Sequence, residues 1–526
     1  MRDGSTSGGG GPPDESAPDD VTPGAAGDEM RESLAGSRIG AGAPALARSF
    51  RLHRPRGPFC GRGYCHQCPV RTVASGTVLA CEVPADTPAR IPRVDPLRSL
   101  ARRAERLTPW FYEERFGSPK FLRQPYLRVL RLLSSAPRLP ADPVPLHGHE
   151  EEGALETLET EALVVGGGPA GLAAAAVLAD RGLEVLLVER ERSLGVSAGW
   201  LPSASREHDL PLEVTVLLGA TCVGLYEEEA LAGVVGPGGP RTVRFDRLVV
   251  ATGAYDRPLM YAGNDLPGTI GLRAFERYAA AGSFSSDIRV GVVAAPGEAS
   301  RAVAAARAAG ISLAFVAGPG EVPVEDGPAF PRRRLERVEG RGRVRSVRLE
   351  GGSPIACDVL VMGFTQPSFE LQVQAGATAS VSGEPAVIVA SGQARFPTLA
   401  VGEAAGHLGP GTQARAAVEA WLRGDAPIPV PPPELPEASI HHPRAFACLC
   451  EDVRVSDLRA AIEEGFGNAE LVKRRTGAGT GPCQGKLCLG EVAAILRAAG
   501  LPADLPTIRP PARPVSIAAL GGATDA

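Results

Sequence analysis

Eight of the ten cysteines fall into two tight groups of four, and four sulfur ligands favour an iron-sulfur cluster or a zinc ion. The C-terminal group has the spacing C-x-C, then C-x4-C much later, and consists of Cys448, Cys450, Cys483 and Cys488. The glycine-rich stretch TGAGTGPCQG would let backbone N–H groups approach cluster sulfurs. Because zinc ribbons more often use C-x2-C pairs, the spacing favours a cluster. The alternatives are structural zinc and a chance grouping of buried cysteines.

The N-terminal group has the spacing C-x4-C-x2-C-x12-C and consists of Cys60, Cys65, Cys68 and Cys81. Three closely spaced cysteines with a distant fourth match the plant-type ferredoxin spacing for a 2Fe-2S cluster. The segment VLACEV should place the fourth cysteine on a strand-like stretch. The pattern therefore predicts a ferredoxin-like 2Fe-2S module, again with structural zinc as the alternative. The two remaining cysteines, in TCVGL and ACDVLVM, are expected to be small buried side chains.

A third motif indicates an adenine dinucleotide. An apolar strand leads to Gly166-x-Gly168-x-x-Gly171 and an alanine-rich helix, and a second strand ends at Glu189. In this context the glycines permit a tight turn, approach of the pyrophosphate to the backbone and close packing of helix on strand. The helix N-terminus attracts the pyrophosphate, and Glu189 can hold a ribose hydroxyl. We therefore expect FAD or another adenine dinucleotide.

Two further segments resemble two-dinucleotide-binding flavoproteins. FDRLVVATGAYDRPL, which contains Thr252 and Gly253, is similar to their strand and ATG turn, and TLAVGEAAGHLGPGTQARAAVEAW resembles their closing motif. The resemblance implies that the closing motif meets the flavin ribityl and pyrophosphate region, although this chain has Gly402-Glu403 where that family has Gly-Asp. Residues 287–318 have the strand-helix-strand pattern of a second nucleotide-binding domain. Their turn, AAPGEAS, lacks the glycine triad, so direct use of NADH is not expected.

Composition excludes some function classes. The chain has 526 residues and a net charge of −5, which does not suggest nucleic-acid binding. Its longest uncharged run, Ala162 to Ala179, contains three consecutive glycines and a proline, so it is expected to form strand, turn and helix and not a transmembrane segment. The acidic, polar N-terminus lacks the regions of a secretory signal, which predicts a cytoplasmic protein.

The chain as a whole also resembles a known family over about residues 36–495. RSFRLHRPRG, YEERFGSPKFLRQPYLRVLR, ATGAYDRPL and CQGKLC are similar to the α subunit of heterotetrameric sarcosine oxidase and its relatives in hydrogen cyanide synthase, opine oxidase and amino-acid dehydrogenase complexes. CLCEDV, KRRT and GPCQGKLC resemble the BFD-like 2Fe-2S domain. The second resemblance implies that the C-terminal thiols hold a 2Fe-2S cluster and not zinc.

These elements give an α/β fold class: a two-dinucleotide-binding flavoprotein core with a small N-terminal ferredoxin-like 2Fe-2S module and a C-terminal helical BFD-like 2Fe-2S module. The first residues are rich in Gly, Pro, Ser and acidic side chains, which predicts disorder. The expected order is a disordered tail at 1–40, a ferredoxin-like module at 41–98, a helical linker at 99–155, the FAD/NAD(P)-binding core at 156–430 with a second nucleotide-binding-like subdomain at about 262–370, the BFD-like domain at 440–500 and a tail at 501–526.

The family resemblance implies an electron-transfer subunit with two 2Fe-2S clusters and FAD, acting in a dehydrogenase or oxidase for amines or imino acids. Its expected partners are a β subunit of the D-amino-acid-oxidase type, which holds the FAD that oxidises the amine, and an external electron acceptor. Two alternatives remain: a self-sufficient FAD-dependent reductase that feeds its own clusters, and an interaction scaffold without redox activity. No catalytic acid, base or nucleophile can be identified from the sequence.

Overall fold

The computed structural model describes residues 32–49, 51–72, 77–91, 156–195, 210–226, 230–323, 328–382, 387–391, 394–406, 412–425 and 442–515. The predicted helical linker at 99–155 lies outside the described residues. So do residues 1–31 of the predicted tail and the last residues of the chain. None of the described helices combines the length and the apolar character that a membrane crossing requires.

The described part of the N-terminal module contains one helix and short antiparallel strands. Its elements are α1 (Leu34–Gly40), β1 (Ala47–Arg48), β2 (Pro55–Arg56), β3 (Pro69–Thr72), β4 (Thr77–Leu79) and β5 (Ala89–Arg90). β1 pairs with β2, and β3 lies between β4 and β5. The loop from β2 to β3 carries three cysteines of the N-terminal group, and the fourth, Cys81, lies two residues after the end of β4. A short sheet thus supports a long loop that collects the thiols.

The predicted disordered tail at 1–40 is wrong for its last residues, because α1 is folded and packed. Ile39 is fully buried. Gly36 and Gly40 bring the helix against the chain at Ser283, where a Cβ on Gly40 would lie 1.6 Å from the Ser283 carbonyl oxygen. The glycines that favoured disorder by composition therefore serve a close helix-to-backbone contact. Composition alone does not distinguish these two uses of glycine.

The first nucleotide-binding domain is built on a seven-stranded sheet. Its elements are β6 (Glu156–Val165), α2 (Pro169–Asp180), β7 (Val185–Val188), β8 (Val214–Leu217), β9 (Thr221–Tyr226), β10 (Leu231–Gly236) and β11 (Gly239–Val250), with β24 (Thr398–Ala400), a 3₁₀ helix (Gly402–Ala405) and α6 (Thr412–Leu422) from later in the chain. The strand order is β8-β7-β6-β11-β10-β9, and β24 pairs in parallel with β11. The inner halves of β6 and β7 are buried continuously, as parallel strands covered on both faces require.

The second nucleotide-binding-like domain has a five-stranded parallel sheet of order β13-β20-β14-β15-β16. Its helices are α3 (Leu272–Ala280), α4 (Pro296–Ala308) and α5 (Glu370–Gln374). Its strands are β12 (Ala254–Asp256), β13 (Thr269–Gly271), β14 (Val290–Ala294), β15 (Leu313–Ala317), β16 (Ala329–Phe330), β17 (Leu335–Glu339), β18 (Ser346–Leu349), β19 (Ile355–Ala356), β20 (Val359–Gly363), β21 (Thr365–Pro367), β22 (Thr378–Ser382) and β23 (Val387–Ser391). This sheet, together with the first, confirms the predicted α/β fold class.

The C-terminal module is mainly helical. Its elements are β25 (Phe446–Cys448), β26 (Val453–Arg454), α7 (Val455–Glu463), α8 (Ala469–Thr476) and α9 (Leu489–Ala498). The segment beyond residue 500, assigned to a tail by sequence, packs back on the molecule up to residue 515. There the Lys486 ammonium donates to the Ala512 carbonyl at 2.7 Å, and the Ala512 N–H donates to Val223 in β9.

Candidate functional site

The four N-terminal thiols converge where the loop between β2 and β3 meets the segment after β4. Cys60, Cys65, Cys68 and Cys81 are each at most 1% exposed. The backbone N–H groups of Arg62 and Cys65 both donate to the Cys60 sulfur at 3.4 Å. Burial alone would raise the pKa of Cys60, but hydrogen bonds from Cys65, Cys81 and these N–H groups outweigh it and bring the pKa well below its usual value. The pocket thus favours a thiolate, the form that binds iron, at Cys60, whereas burial and the neighbouring Cys60 sulfur raise the pKa of Cys65.

The four C-terminal thiols also converge. The sulfurs of Cys448 and Cys450 are 3.9 Å apart, and those of Cys450 and Cys483 are 3.2 Å apart. Hydrogen bonds from Cys450 and Cys488 bring the pKa of Cys448 well below its usual value. The glycine-rich stretch comes very close, since a Cβ on Gly481 would lie 3.0 Å from the Cys450 sulfur. Backbone amides can therefore approach these sulfurs, as the sequence predicted.

The donor sets fit iron-sulfur clusters by their chemistry, because each pocket brings four buried thiols together. Backbone N–H groups donate to Cys60 in the first pocket and to Cys448 in the second. Within the described ranges, no set of three or more His, Cys, Asp or Glu side chains has the geometry of a finished metal-ion site. The structure therefore shows where the thiols gather, and their role as cluster ligands is a proposal.

The two groups of thiols share an apolar core. Cys60 and Cys65 lie in the same core as all four C-terminal cysteines, together with Phe59, Tyr64 and Met260. Cys68 and Cys81 belong to the neighbouring core that includes residues of α1 and α3. The two predicted clusters are therefore neighbours in the fold and not separate appendages. The two solitary cysteines lie elsewhere and are buried, as predicted.

The glycine triad forms the turn that its spacing predicted. Gly166 has φ +112°, and a Cβ on Gly171 would lie 1.8 Å from the Gly166 carbonyl oxygen. Gly168 is the N-cap of α2, with Pro169 as the first helical residue. The Glu189 carboxylate accepts a hydrogen bond from the Gly167 N–H, so it lies at the turn where a ribose would approach. The tight turn is followed by the half-buried N-terminus of α2, and a pyrophosphate site needs both features.

The ATG turn and the closing motif meet this loop. A Cβ on Gly402, which has φ +63°, would lie 2.5 Å from the Ala170 Cβ at the start of α2. A Cβ on Gly253, φ +72°, would lie 3.7 Å from a carboxylate oxygen of Glu403. Thr252 hydrogen-bonds through its hydroxyl to Ser368. The structure thus brings together all three predicted nucleotide-binding segments.

Glu403 belongs to a network of charged side chains that the sequence did not predict. It forms ion pairs with Arg273 at 2.8 Å and with Arg301 at 2.9 Å. Arg273 also pairs with Asp256 at 2.9 Å, and Arg301 with Glu276 at 2.8 Å. Burial alone would raise the pKa of Glu403, but the two arginine charges outweigh it and lower the pKa to about 2. A clue in the sequence was the longer Glu in place of Asp, which can reach partners in α3 and α4.

A pair of tyrosines connects the N-terminal thiols to the ATG turn. The rings of Tyr64 and Tyr255 have centroids 4.8 Å apart, tilted at 54°. The Tyr255 hydroxyl donates to Glu370 at 2.9 Å, and Lys486 pairs with the same carboxylate at 3.3 Å. Lys486 lies between Cys483 and Cys488 in the sequence. The two tyrosines and their partners therefore connect the N-terminal thiol loop, the ATG turn and the segment that carries the C-terminal thiols. One signal for it in the sequence was that Tyr64 directly precedes Cys65 and that Tyr255 follows the ATG turn.

The second nucleotide-binding-like domain differs at its phosphate turn. Glu298 lies in the first turn of α4, is 2% exposed, and accepts a hydrogen bond from the Thr365 hydroxyl at 2.7 Å. Burial raises the pKa of Glu298. A helix N-terminus normally attracts the phosphate of a ligand, but here a carboxyl side chain already lies beside it.

Comparison with known proteins finds family models that match three parts of the chain. Family models match residues 30–96 (2Fe-2S iron-sulfur cluster binding domain), 160–293 (pyridine nucleotide-disulphide oxidoreductase) and 442–524 (sarcosine oxidase A3 domain). The chain is similar in fold to L-proline dehydrogenase from P. horikoshii, with a TM-score of 0.65, 19% identity, and coverage of 93% of this chain and 94% of that one.

Sequence relatives of the chain include subunits of sarcosine oxidase and hydrogen cyanide synthase. Sarcosine oxidase subunit alpha of Rhizobium meliloti (strain 1021) is 31% identical over 435 residues, which cover 69% of this chain and 42% of that protein. Hydrogen cyanide synthase subunit HcnB of Pseudomonas aeruginosa is 24% identical over 459 residues, covering 66% of this chain and 95% of that protein. The chain spans 42% to 46% of the length of the sarcosine oxidase subunits that it matches.

The fold, the motifs and these matches define an oxidoreductase with an N-terminal 2Fe-2S domain and a core for a flavin or nicotinamide dinucleotide. The chain is a relative of the sarcosine oxidase α subunits, as its motifs predicted.

Proposed function

We propose that the chain is the electron-transfer subunit of a multisubunit dehydrogenase or oxidase. In this proposal it carries FAD and two 2Fe-2S clusters, and the enzyme acts on an amine or imino acid of the sarcosine, proline, hydroxyproline, opine or glycine class. The carrying observation is the shared apolar core, which encloses thiols of both groups and reaches the ATG turn through Tyr64 and Tyr255. Such a core keeps three cofactor sites close together.

The cysteines of the two groups would hold the clusters, and the glycine turn with Glu189 and the closing motif would hold the dinucleotide. A bound flavin accepts two electrons and each 2Fe-2S cluster accepts one, so together they divide a two-electron oxidation into single-electron steps. The chain's own contribution is to fix positions and to exclude water, since the cysteines are buried. No described side chain is assigned as an acid or base for amine oxidation.

The second nucleotide-binding-like domain supports an electron source other than NADH. Its phosphate turn holds the buried carboxyl of Glu298 and lacks the glycine triad. Arg301 of α4 ties the same helix to Glu403 of the closing motif. Electrons should therefore arrive from a partner subunit. We infer a partner of the D-amino-acid-oxidase type, which holds its own FAD, and an external acceptor, from the resemblance to subunits of multisubunit oxidases.

A cytoplasmic location is part of the proposal. All ten cysteines are free thiols, and eight of them are needed in reduced form for cluster ligation. A reducing compartment is where such thiols persist.

The deciding experiment is co-expression of the chain with a candidate oxidase-like partner, followed by anaerobic mixing with sarcosine, proline, hydroxyproline or glycine. Reduction of the clusters should require both proteins, with an artificial dye completing turnover. The Cys65→Ser chain, paired with the same partner, is the matched control and should lose the signal of one cluster. Rapid reduction by an amine in the isolated chain would instead favour the self-sufficient reductase. Absence of both flavin and reducible clusters would favour the scaffold.

A further inference from the structure

Two arginines of the N-terminal module donate hydrogen bonds to the C-x-C turn of the C-terminal module. Arg54 donates from Nε to Asp452 Oδ1 at 2.6 Å and from Nη2 to the Leu449 carbonyl. Arg56 donates from Nη2 to the Leu449 carbonyl at 3.0 Å and to the Cys450 carbonyl. Three acceptor residues around the second cysteine of the turn, Leu449, Cys450 and Asp452, are thus held by arginines almost 400 residues earlier in the chain.

All of these acceptors are shielded from water. Leu449 is 5% exposed, Cys450 is 4% exposed and Asp452 is 1% exposed. A buried carbonyl or carboxylate that loses its donor bears the full cost of desolvation. Asp452 also has φ +55°, a conformation that a residue other than glycine keeps only when its surroundings impose it. The turn therefore depends on the arginines for its shape.

The same arginine reaches the strand that leads into the turn. The Arg54 guanidinium lies 4.6 Å from the centre of the Phe446 ring, and Phe446 begins β25, which ends at Cys448. The N–H of Leu52 adds a further hydrogen bond to Asp452, at 2.9 Å. The contacts thus extend from Phe446, ahead of the turn, to Asp452 at its end.

We propose that Arg54 and Arg56 are positioning residues for the C-terminal cluster. This inference rests on the proposed function, because it takes Cys448 and Cys450 as cluster ligands. By holding the carbonyls on either side of the Cys450 Cα, the arginines direct its side chain toward Cys483. They also place two buried positive charges beside thiols that must become thiolates to bind iron, which offsets the cost of burying that negative charge.

The test uses the full chain with Arg54→Met, Arg56→Met and the double variant. Amide hydrogen exchange of residues 446–454, measured on cluster-free protein, should become about tenfold faster or more in the double variant, because the turn opens locally. After cluster reconstitution, the EPR signal of the C-terminal cluster should be lost or broadened, while the N-terminal cluster signal remains and shows that the chain is folded.

Arg71→Met removes an exposed arginine from β3 of the same module and is the matched control, which should leave exchange in the turn unchanged. Arg54→Lys keeps the charge but not the two-pronged donor, so it should restore part of the protection. Asp452→Asn keeps both arginines and should accelerate amide exchange in the turn by a smaller factor. It replaces the double variant in the test if that variant does not fold.

Unchanged exchange in the double variant and in Asp452→Asn would overturn the inference, whatever iron the wild-type chain contains. A wild-type chain that shows only the N-terminal cluster would instead remove the second cluster from the proposed function. The two failures are therefore read from different measurements.

Discussion

The Tyr64 hydroxyl donates to the Asp256 carboxylate at 3.2 Å and accepts from the Asp256 N–H at 2.7 Å. Tyr64 is adjacent to Cys65, a predicted cluster ligand, and Asp256 lies three positions after the ATG turn. Two hydrogen bonds thus join the N-terminal thiol loop to the segment after this turn. Asp256 is fully buried and also pairs with Arg273, which pairs with Glu403. One chain of polar contacts therefore runs from the N-terminal thiol loop to the closing motif.

Replacing Tyr64 by Phe should lower the free energy of unfolding by about 1 to 3 kcal/mol, because the buried N–H and carboxylate of Asp256 lose a partner. Urea unfolding measures the change. Tyr226→Phe is the control at a side chain that is 50% exposed, and it should change stability by less than about 0.5 kcal/mol. Equal effects of the two substitutions would show that the Tyr64 contact contributes nothing specific.

Glu403→Gln should make the free energy of unfolding less dependent on pH in the acidic range. The folded-state pKa of Glu403 is about 2, below its ordinary value of 4.5, so its contribution is complete above pH 4.5 and is lost as the pH falls toward 2. The stability advantage of the wild type over Glu403→Gln should shrink by about 2 kcal/mol between pH 7 and pH 3, as measured by urea unfolding at each pH. Glu159→Gln, at an exposed residue of β6, is the control. An advantage that stays constant with pH would contradict the ion-pair assignment.

The purified chain should contain about four iron atoms, two for each predicted cluster. Cys65→Ser should remove one EPR signal and Cys483→Ser the other, because each pocket loses a thiolate. Cys222→Ser changes a buried cysteine outside both pockets and should leave both signals intact. Iron and acid-labile sulfide analysis gives the count, and zinc at either site would refute the two-cluster proposal.

Gly168→Val should abolish retention of the dinucleotide, since a branched side chain would stand at the N-cap of α2 where the pyrophosphate approaches. The measurement is chromatography of the nucleotide released from denatured protein. Gly297→Ala, in the first turn of α4, should have little effect, because that turn lacks the phosphate-binding pattern. Similar losses at both positions would mean that the second domain also binds a nucleotide.

The spacing of residues predicted those parts of the candidate site whose residues are close together in the sequence. The thiol loop around Cys65 and the glycine turn at Gly166 could be recognised because chain geometry restricts which spacings reach a cluster or a pyrophosphate. The same is true of the α/β fold class, since buried parallel strands appear as continuous apolar runs.

Long-range charge pairing could not be predicted in this way. Arg301 lies 102 residues before Glu403, and nothing in either local sequence indicates the other. The packing of α1 was also missed, because a glycine read from composition signals disorder, whereas Gly40 makes close contact with a backbone. Such contacts depend on tertiary positions that only the assembled fold defines.

The ion pair between Arg54 and Asp452 can form only late in the synthesis of the chain. The two residues are 398 positions apart, so the N-terminal hairpin cannot complete this contact until most of the chain has left the ribosome. At about 5 to 20 residues per second, that interval is roughly 20 to 80 s. During it the N-terminal cysteines exist without the core that later encloses them. A nascent chain in this state would expose its thiols to oxidation and to cluster-delivery proteins alike, so its yield should respond to the rate of translation and to the supply of iron during synthesis.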